Sequence, residues 1–156
     1  MGLSLTESAL RGETETADQL LKNGTDPNLK CDGGFTALHY AAMSGHTETA
    51  TLLLMRGAAV DAKDLLGHTP LYWASLRGHT ELAQLLIKRG ADVNSSGDKG
   101  ETALHGAAEF GQLGTAALLI LNGAKADTKD KKGKTPLDTA RSVGRKSIAD
   151  LLMKIS

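Results

Sequence analysis

The sequence contains little cysteine, proline or aromatic side chain. Its 156 residues include 1 Cys, 3 Pro and only five aromatics (1 Trp, 2 Tyr, 2 Phe). The single cysteine, Cys31, excludes an intramolecular disulfide framework and a cysteine-based zinc finger, and it suits a reducing compartment. We therefore expect an intracellular protein, cytoplasmic or nuclear, that is stabilised by packing rather than by cross-links.

Net charge and long apolar runs are also absent from the sequence. The 18 Lys and Arg balance the 18 Asp and Glu, which argues against a general nucleic-acid binder. The longest uncharged stretch, 110–124, is interrupted by glycines and is too short to span a bilayer. Gly2 and Thr6 fit the loose myristoylation pattern. Leu5, between them, occupies a repeat position of the core, so we expect this segment to pack in the fold rather than to carry a lipid. We expect no membrane partner.

A period of 33 residues runs through the chain without an insertion. Glycine is abundant, with 18 residues, and hydrophobic residues make up 40% of the chain, too many for a disordered one. Four tetrapeptides start 33 residues apart: Thr36-Ala37-Leu38-His39, Thr69-Pro70-Leu71-Tyr72, Thr102-Ala103-Leu104-His105 and Thr135-Pro136-Leu137-Asp138. Leucine recurs at 5, 38, 71, 104 and 137, and glycine at 12, 45, 78, 111 and 144. Such a period indicates a repeat protein.

Each period predicts two short helices joined by a glycine, followed by a polar, extended connector. Threonine is a favourable N-cap, and proline at the next position fits the first turn of a helix. Leu38, Ala41 and Ala42 have helical spacing and Gly45 ends that helix. The frequent alanines allow antiparallel helices to pack closely.

The period and the Thr-Ala-Leu-His-Tyr-Ala segment at 36–41 resemble the ankyrin-repeat family. The resemblance covers essentially the whole chain. It implies an all-α solenoid of stacked helix pairs with short β-hairpin fingers, formed by a single domain over 1–156. We predict a first helix pair that caps the stack over 3–24, units at about 25–57, 58–90 and 91–123, and a C-terminal unit over 124–156.

The departures from the family pattern carry their own predictions. Tyr72 and Asp138 replace the histidine of the motif, so the Thr-to-His hydrogen bond that the family implies is lost or altered there. The resemblance also makes Asn28 and Asn94 candidate hydroxylation sites. From the residues alone, a structural role in the turn is the expectation for both asparagines.

Nothing in the sequence predicts catalysis, a metal or a cofactor. Four of the five histidines follow the repeat register, and equivalent positions in neighbouring units lie about 10 Å apart. Zinc ligands must all lie about 2.0–2.1 Å from one ion. Cys31 has no apparent catalytic partner, and the glycines form no phosphate-binding loop. We expect a non-enzymatic protein.

The positions that do not recur are the candidates for function. In the family that the chain resembles, the fingers and first helices line a concave face that binds proteins, and all five aromatics fall in these elements. Leu65 and Leu66 are predicted to be exposed at a finger tip, and Phe35 and Phe110 are also expected at the surface, whereas Tyr40 and Trp73 fit core or surface equally. The predicted partner-binding residues are Phe35, Tyr40, Met43, Leu65, Leu66, His68, Trp73, Leu76, Arg77, Lys99, Glu101 and Phe110.

Two questions stay open: what the basic residues of the last finger do, and whether the chain has a physiological partner. Lys129, Lys131, Lys132 and Lys134 form either a solvated surface or a docking site for an acidic segment of a partner. The whole chain is predicted to be a monomeric protein–protein interaction module. The alternative is a designed or selected repeat scaffold without a physiological partner.

Overall fold

The computed structural model of the protein describes residues 2–156, so Met1, with which the predicted domain begins, lies outside the described residues. Within 2–156 the chain forms ten α-helices in five antiparallel pairs. Their bounds are α1 Leu5–Arg11, α2 Thr14–Lys22, α3 Ala37–Ser44, α4 Thr47–Met55, α5 Pro70–Arg77, α6 Thr80–Lys88, α7 Ala103–Glu109, α8 Leu113–Leu121, α9 Pro136–Ser142 and α10 Lys146–Ile155.

The helices stack in two rows. The odd-numbered helices pack against one another in chain order, and the even-numbered helices do the same behind them. The core between the rows consists of recurring leucines and alanines; Leu38, Leu71 and Leu104 are each 0–1% exposed. Burying one leucine contributes about 1.5–3 kcal/mol, more than the roughly 1 kcal/mol of a typical N-cap. Packing therefore supplies the stability, and the caps set the helix ends.

The connectors contain four fingers, at 31–35, 64–68, 97–101 and 130–134. Each finger is closed by one backbone hydrogen bond between its end residues, as from Asp64 N–H to the His68 carbonyl (3.0 Å). The one isolated β-bridge among the described residues joins Ser96 and Thr102. The all-α repeat architecture predicted from the sequence is confirmed, and its fingers are tight hairpin turns rather than strands of a sheet.

Successive fingers are joined by a backbone ladder. Leu65 N–H donates to the Gly33 carbonyl at 2.9 Å, Asp98 N–H to Leu66 at 2.8 Å, and Lys131 N–H to Lys99 at 2.9 Å. The same register thus carries the same bond at three interfaces.

A second set of hydrogen bonds joins each helix pair to the pair before it. The side chain of the residue before each even-numbered helix, from α4 onward, donates to a carbonyl near the end of the odd-numbered helix in the previous pair. His46 bonds the Leu10 carbonyl (3.0 Å), His79 that of Met43 (3.0 Å), Gln112 that of Leu76 (3.1 Å) and Arg145 that of Glu109 (3.0 Å). Three different side-chain types satisfy one requirement, because each places an N–H at the same point.

The predicted change at Tyr72 and Asp138 is confirmed. In α3 the imidazole Nδ1 of His39 accepts bonds from the Thr36 N–H (3.1 Å) and hydroxyl (2.9 Å). At α9 the Asp138 carboxylate takes over this role, with Thr135 N–H and hydroxyl both at 3.0 Å from Oδ2. At α5 only the Thr69 hydroxyl caps the helix, accepting from Tyr72 N–H.

The ladder generates a prediction about two glycines with the same backbone conformation. Gly34 (φ +77°) and Gly133 (φ +78°) occupy one register of the first and fourth fingers. A Cβ on Gly34 would lie 2.9 Å from the backbone nitrogen of Leu65, whereas a Cβ on Gly133 meets nothing within 4 Å. We expect Gly34→Ala to lower the free energy of unfolding in urea by at least about 1 kcal/mol more than Gly133→Ala, which carries the left-handed strain alone. Equal losses would show that the close approach of the fingers is unimportant.

Candidate protein-binding face

Two of the four fingers, the second and the fourth, have a carboxylate at their first position that fixes the turn. In the second finger Asp64 Oδ1 accepts the N–H groups of Leu66 (2.9 Å) and His68 (3.0 Å), while Oδ2 accepts the indole N–H of Trp73 (2.9 Å). The Asp64 side chain is 0% exposed. In the fourth finger Asp130, which is partly exposed, accepts the same two backbone N–H groups, from Lys132 and Lys134. These bonds fix the backbone of the tip without using its side chains.

The tip of the second finger presents two adjacent leucines to solvent. Leu65 is 73% exposed and Leu66 is 54% exposed. Their backbone groups take part in the finger ladder, so their position is fixed while their side chains contribute little to the core. Adjacent exposed apolar side chains at a fixed position are typical of interaction sites.

An aromatic cluster lies beneath this tip, and it corrects two predictions. Phe35 is only partly exposed because its ring packs against His39 (5.8 Å between centroids), Tyr40 (5.7 Å) and Trp73 (5.9 Å). The expectation that Phe35 is an exposed residue is therefore wrong. His68 is buried, with 6% of its surface exposed, and its predicted place on a free finger surface is wrong as well.

His68 is buried because three neighbours enclose it. Its ring stacks on Tyr72 at 3.9 Å with an interplanar angle of 5°, and Trp73 meets it edge-on at 5.7 Å. Its Nε2 forms a short contact with Glu101 Oε1, one period later in the next finger. The Glu101 side chain is accordingly 16% exposed and faces inward. The pair connects the second and third fingers.

The other predicted residues divide by exposure. Tyr40, Met43, Trp73 and Leu76 are partly buried along the first helices, whereas Arg77, Lys99 and Phe110 are exposed. The Tyr40 hydroxyl lies 3.3 Å from Cys31 Sγ, and this hydrogen bond, with a smaller contribution from burial, raises the pKa of Tyr40 to about 12. Tyr40 and Cys31 therefore form a local packing contact.

A groove of about 710 Å³ lies between the third and fourth fingers and the helices behind them. Its outer wall is formed by finger residues and its floor by α5, α7 and α9. The lining residues are His68, Tyr72, Lys99, Glu101, His105, Gly106, Glu109, Asp130, Lys131, Lys132, Lys134, Thr139, Ser142 and Val143.

Comparison with family models decides what the repeated unit is. A model described as ankyrin repeats (3 copies) matches residues 5–97, and one described as ankyrin repeats (many copies) matches 86–140. The chain belongs to the ankyrin-repeat family. A comparison with curated proteins gave no significant match. Ankyrin repeats are generally protein–protein interaction modules and are typically non-enzymatic.

The histidines of the ankyrin motif have structural roles here. His39 is 0% exposed, and its Nε2 donates to the His68 carbonyl at 3.0 Å; His105 does the same for the Lys134 carbonyl at 2.8 Å. Within residues 2–156, no group of three His, Cys, Asp or Glu side chains is arranged to hold a metal ion. No helix in the same range is long and apolar enough to cross a membrane.

The asparagines predicted to stabilise the turn act across the ankyrin-repeat interface instead. Asn28 donates to the Gly57 carbonyl (3.0 Å) and accepts from Ala59 N–H (2.7 Å), and Asn94 makes the equivalent bonds to Gly123 and Lys125. The side-chain amide of each asparagine thus connects its own turn to the next one.

Sequence reasoning missed part of the groove. Tyr72, Glu109, Ser142 and Val143 were not among the predicted binding residues, yet all line it. The repeat period could have indicated two of them, because Glu109 and Ser142 occupy the same repeat position as Met43 and Leu76, which are among the predicted binding residues. It also missed two strongly exposed apolar residues on the opposite row, Met55 (71%) and Leu121 (85%). Lys88 occupies their register between them, so they form no continuous patch.

The buried Asp64 carboxylate generates a stability prediction. Asp64→Ala leaves two backbone N–H groups and the Trp73 indole without their acceptor in a buried site, so we expect a loss of about 2–3 kcal/mol in the free energy of unfolding. Asp130→Ala is the matched control, since water can replace the lost acceptor there. Denaturation followed by Trp73 fluorescence measures both; a loss for Asp130→Ala as large as for Asp64→Ala would contradict this explanation.

His39 predicts a pH dependence of stability. Burial lowers the pKa of His39 below its ordinary value, because the charged ring would lose its hydration. The unfolded chain therefore binds a proton first, and stability that is present above about pH 6.5 is lost as the pH falls toward the folded pKa. We expect the free energy of unfolding to decrease less for His39→Gln than for the unmodified protein between about pH 7 and pH 5. Parallel curves would mean that His39 does not contribute.

Proposed function

We propose that this ankyrin-repeat protein is a monomeric, non-enzymatic interaction module that binds a protein partner through its finger face. The finger face is the surface formed by the four fingers and the exposed ends of the first helices. The observation that carries the proposal is the Leu65–Leu66 tip, which is exposed and rigidly placed. The single thiol of Cys31 is in keeping with a protein of a reducing compartment, cytoplasmic or nuclear.

The residues of the finger face divide into supports and contacts. Phe35, His68, Trp73 and Glu101 hold the second finger in place through buried or partly buried packing. Leu65 and Leu66 lie above this support, and their exposed side chains contribute little to the core. Interface energy is usually concentrated in a few apolar or aromatic side chains on a rigid base, and this arrangement meets that requirement.

The alternative of a scaffold selected only for stability is less consistent with the core. Ser75 is 0% exposed, its hydroxyl has no hydrogen-bond partner in the structure, and Ala42 and Ala108 occupy the same register. Alanine would remove this unsatisfied group, which costs on the order of 1–3 kcal/mol. Gly106 and Gly114, inside α7 and α8, each cost about 1 kcal/mol relative to alanine. Selection for stability alone would remove these features.

The test compares two matched substitutions. Leu66→Asp changes an exposed finger-tip residue, and Gln84→Asp changes an exposed residue of α6 on the opposite row. Each should change the free energy of unfolding by less than about 0.5 kcal/mol, as for most surface substitutions. Leu66→Asp should weaken binding to a partner by about 2 kcal/mol or more, whereas Gln84→Asp should leave it unchanged.

The measurement is quantitative affinity capture from source cells with the unmodified protein and both variants. Loss of the captured protein only with Leu66→Asp supports the proposal. Loss only with Gln84→Asp places the binding site on the second helices. A large loss of stability on Leu66→Asp would show that the leucine belongs to the core, which would contradict the proposal.

A further inference from the structure

The tips of successive fingers change in character along the stack. The two tip positions hold Leu65 and Leu66 in the second finger, Asp98 and Lys99 in the third, and Lys131 and Lys132 in the fourth. The finger ladder holds all three tips in the same backbone geometry, so this is a directional surface that is apolar at one end and basic at the other.

Within residues 2–156, the lysines of this surface have no ion-pair partner. Among residues 2–156 the ion pairs between side chains involve Asp18 and the His68 cluster, and none includes Lys99, Lys131, Lys132 or Lys134. All four lysines are exposed and line the groove. Their ammonium groups are therefore available to an external anion.

Two of the three carboxylates that line the groove are already engaged. Glu101 faces His68, and Asp130 accepts the backbone N–H groups of Lys132 and Lys134, which lower the pKa of that carboxyl. Glu109 is exposed and free. The groove thus combines four free cations with three carboxylates, two of which are already held by bonds within the chain. This pattern disfavours a phosphate backbone of continuous charge and favours separate carboxylates on a peptide.

We propose that the finger face binds an extended acidic peptide segment of the partner, with an apolar side chain on Leu65 and Leu66 and carboxylates on Lys99, Lys131, Lys132 and Lys134. This inference rests on the proposed function and specifies its partner. Two unit spacings of about 10 Å separate the second and fourth fingers. An extended chain covers about 3.3 Å per residue, so the segment needs about six to eight residues.

The probes follow from this geometry. One fluorescein-labelled peptide contains two leucines followed by three glutamates that alternate with serines, and its counterpart contains glutamines in place of the glutamates. An oligothymidylate of equal charge is the nucleic-acid probe. Binding to the full chain is measured by fluorescence anisotropy and by NMR shifts, at low and at high salt, up to about 1 mM protein.

The variants separate local from general charge effects. The groove variant combines Lys99→Glu, Lys131→Glu and Lys132→Glu. The control combines Lys88→Glu, Lys146→Glu and Lys154→Glu, three exposed positions on the other row with the same change in net charge. Circular dichroism checks that both retain the helical fold.

We expect the acidic probe to bind about tenfold more tightly than the glutamine probe, because several exposed ion pairs each contribute about 1.4- to fivefold. The groove variant should lose this difference, high salt should reduce it, and the control variant should keep it. Equal binding of both peptides, equal losses in both variants, tighter binding of the oligothymidylate, or no peptide binding would each overturn the inference.

The outcomes distinguish this inference from the proposed function. If Leu66→Asp abolishes binding of both peptides while the groove variant changes neither, the finger face is a binding site but its partner is not acidic. If binding of the acidic probe depends on the lysines and Leu66→Asp has no effect, the basic end binds the peptide alone. The proposed function would then be contradicted at Leu66, the residue on which it rests.

Discussion

One backbone hydrogen bond between each finger and the finger before it fixes the step of this solenoid. The bond recurs at three interfaces, and a second series, from the side chains before the even-numbered helices, recurs at four. A stacked unit contacts only its neighbours, so every interface must satisfy the same polar groups with the same geometry. Residues that meet this requirement can vary in type, as His46 and Arg145 do, provided that an N–H reaches the carbonyl.

In the second and fourth fingers, different groups hold the turn, hold the neighbouring finger and face the solvent. Asp64 and Asp130 hold the turn, and the backbone of the tip holds the next finger. The tip side chains hold neither the turn nor the next finger. Leucines and lysines can therefore occupy the same repeat position without a change in the backbone. An ankyrin-repeat stack therefore offers a row of independently variable contact positions on a rigid support.

Much of this structure could be predicted from the sequence because each local signal occurs several times. Leucine and glycine at a fixed period locate the helices and their ends without ambiguity. The partial burial of Phe35 and the burial of His68 could not be predicted in this way, because they depend on aromatic neighbours that occur once, around Trp73. The His68–Glu101 contact shows the signal that was available: residues one period apart are spatial neighbours, and a His followed by a Glu at that distance is a candidate pair.

The most direct test of the account exchanges the tips of two fingers. The variant carries Leu65→Lys, Leu66→Lys, Lys131→Leu and Lys132→Leu, which keeps composition and net charge unchanged. If the backbone and the carboxylates hold the fingers, the free energy of unfolding should change by less than about 1 kcal/mol. The partner captured by the unmodified protein should at the same time be lost. A loss of several kcal/mol would contradict the account, because it would show that the tip side chains hold the fold.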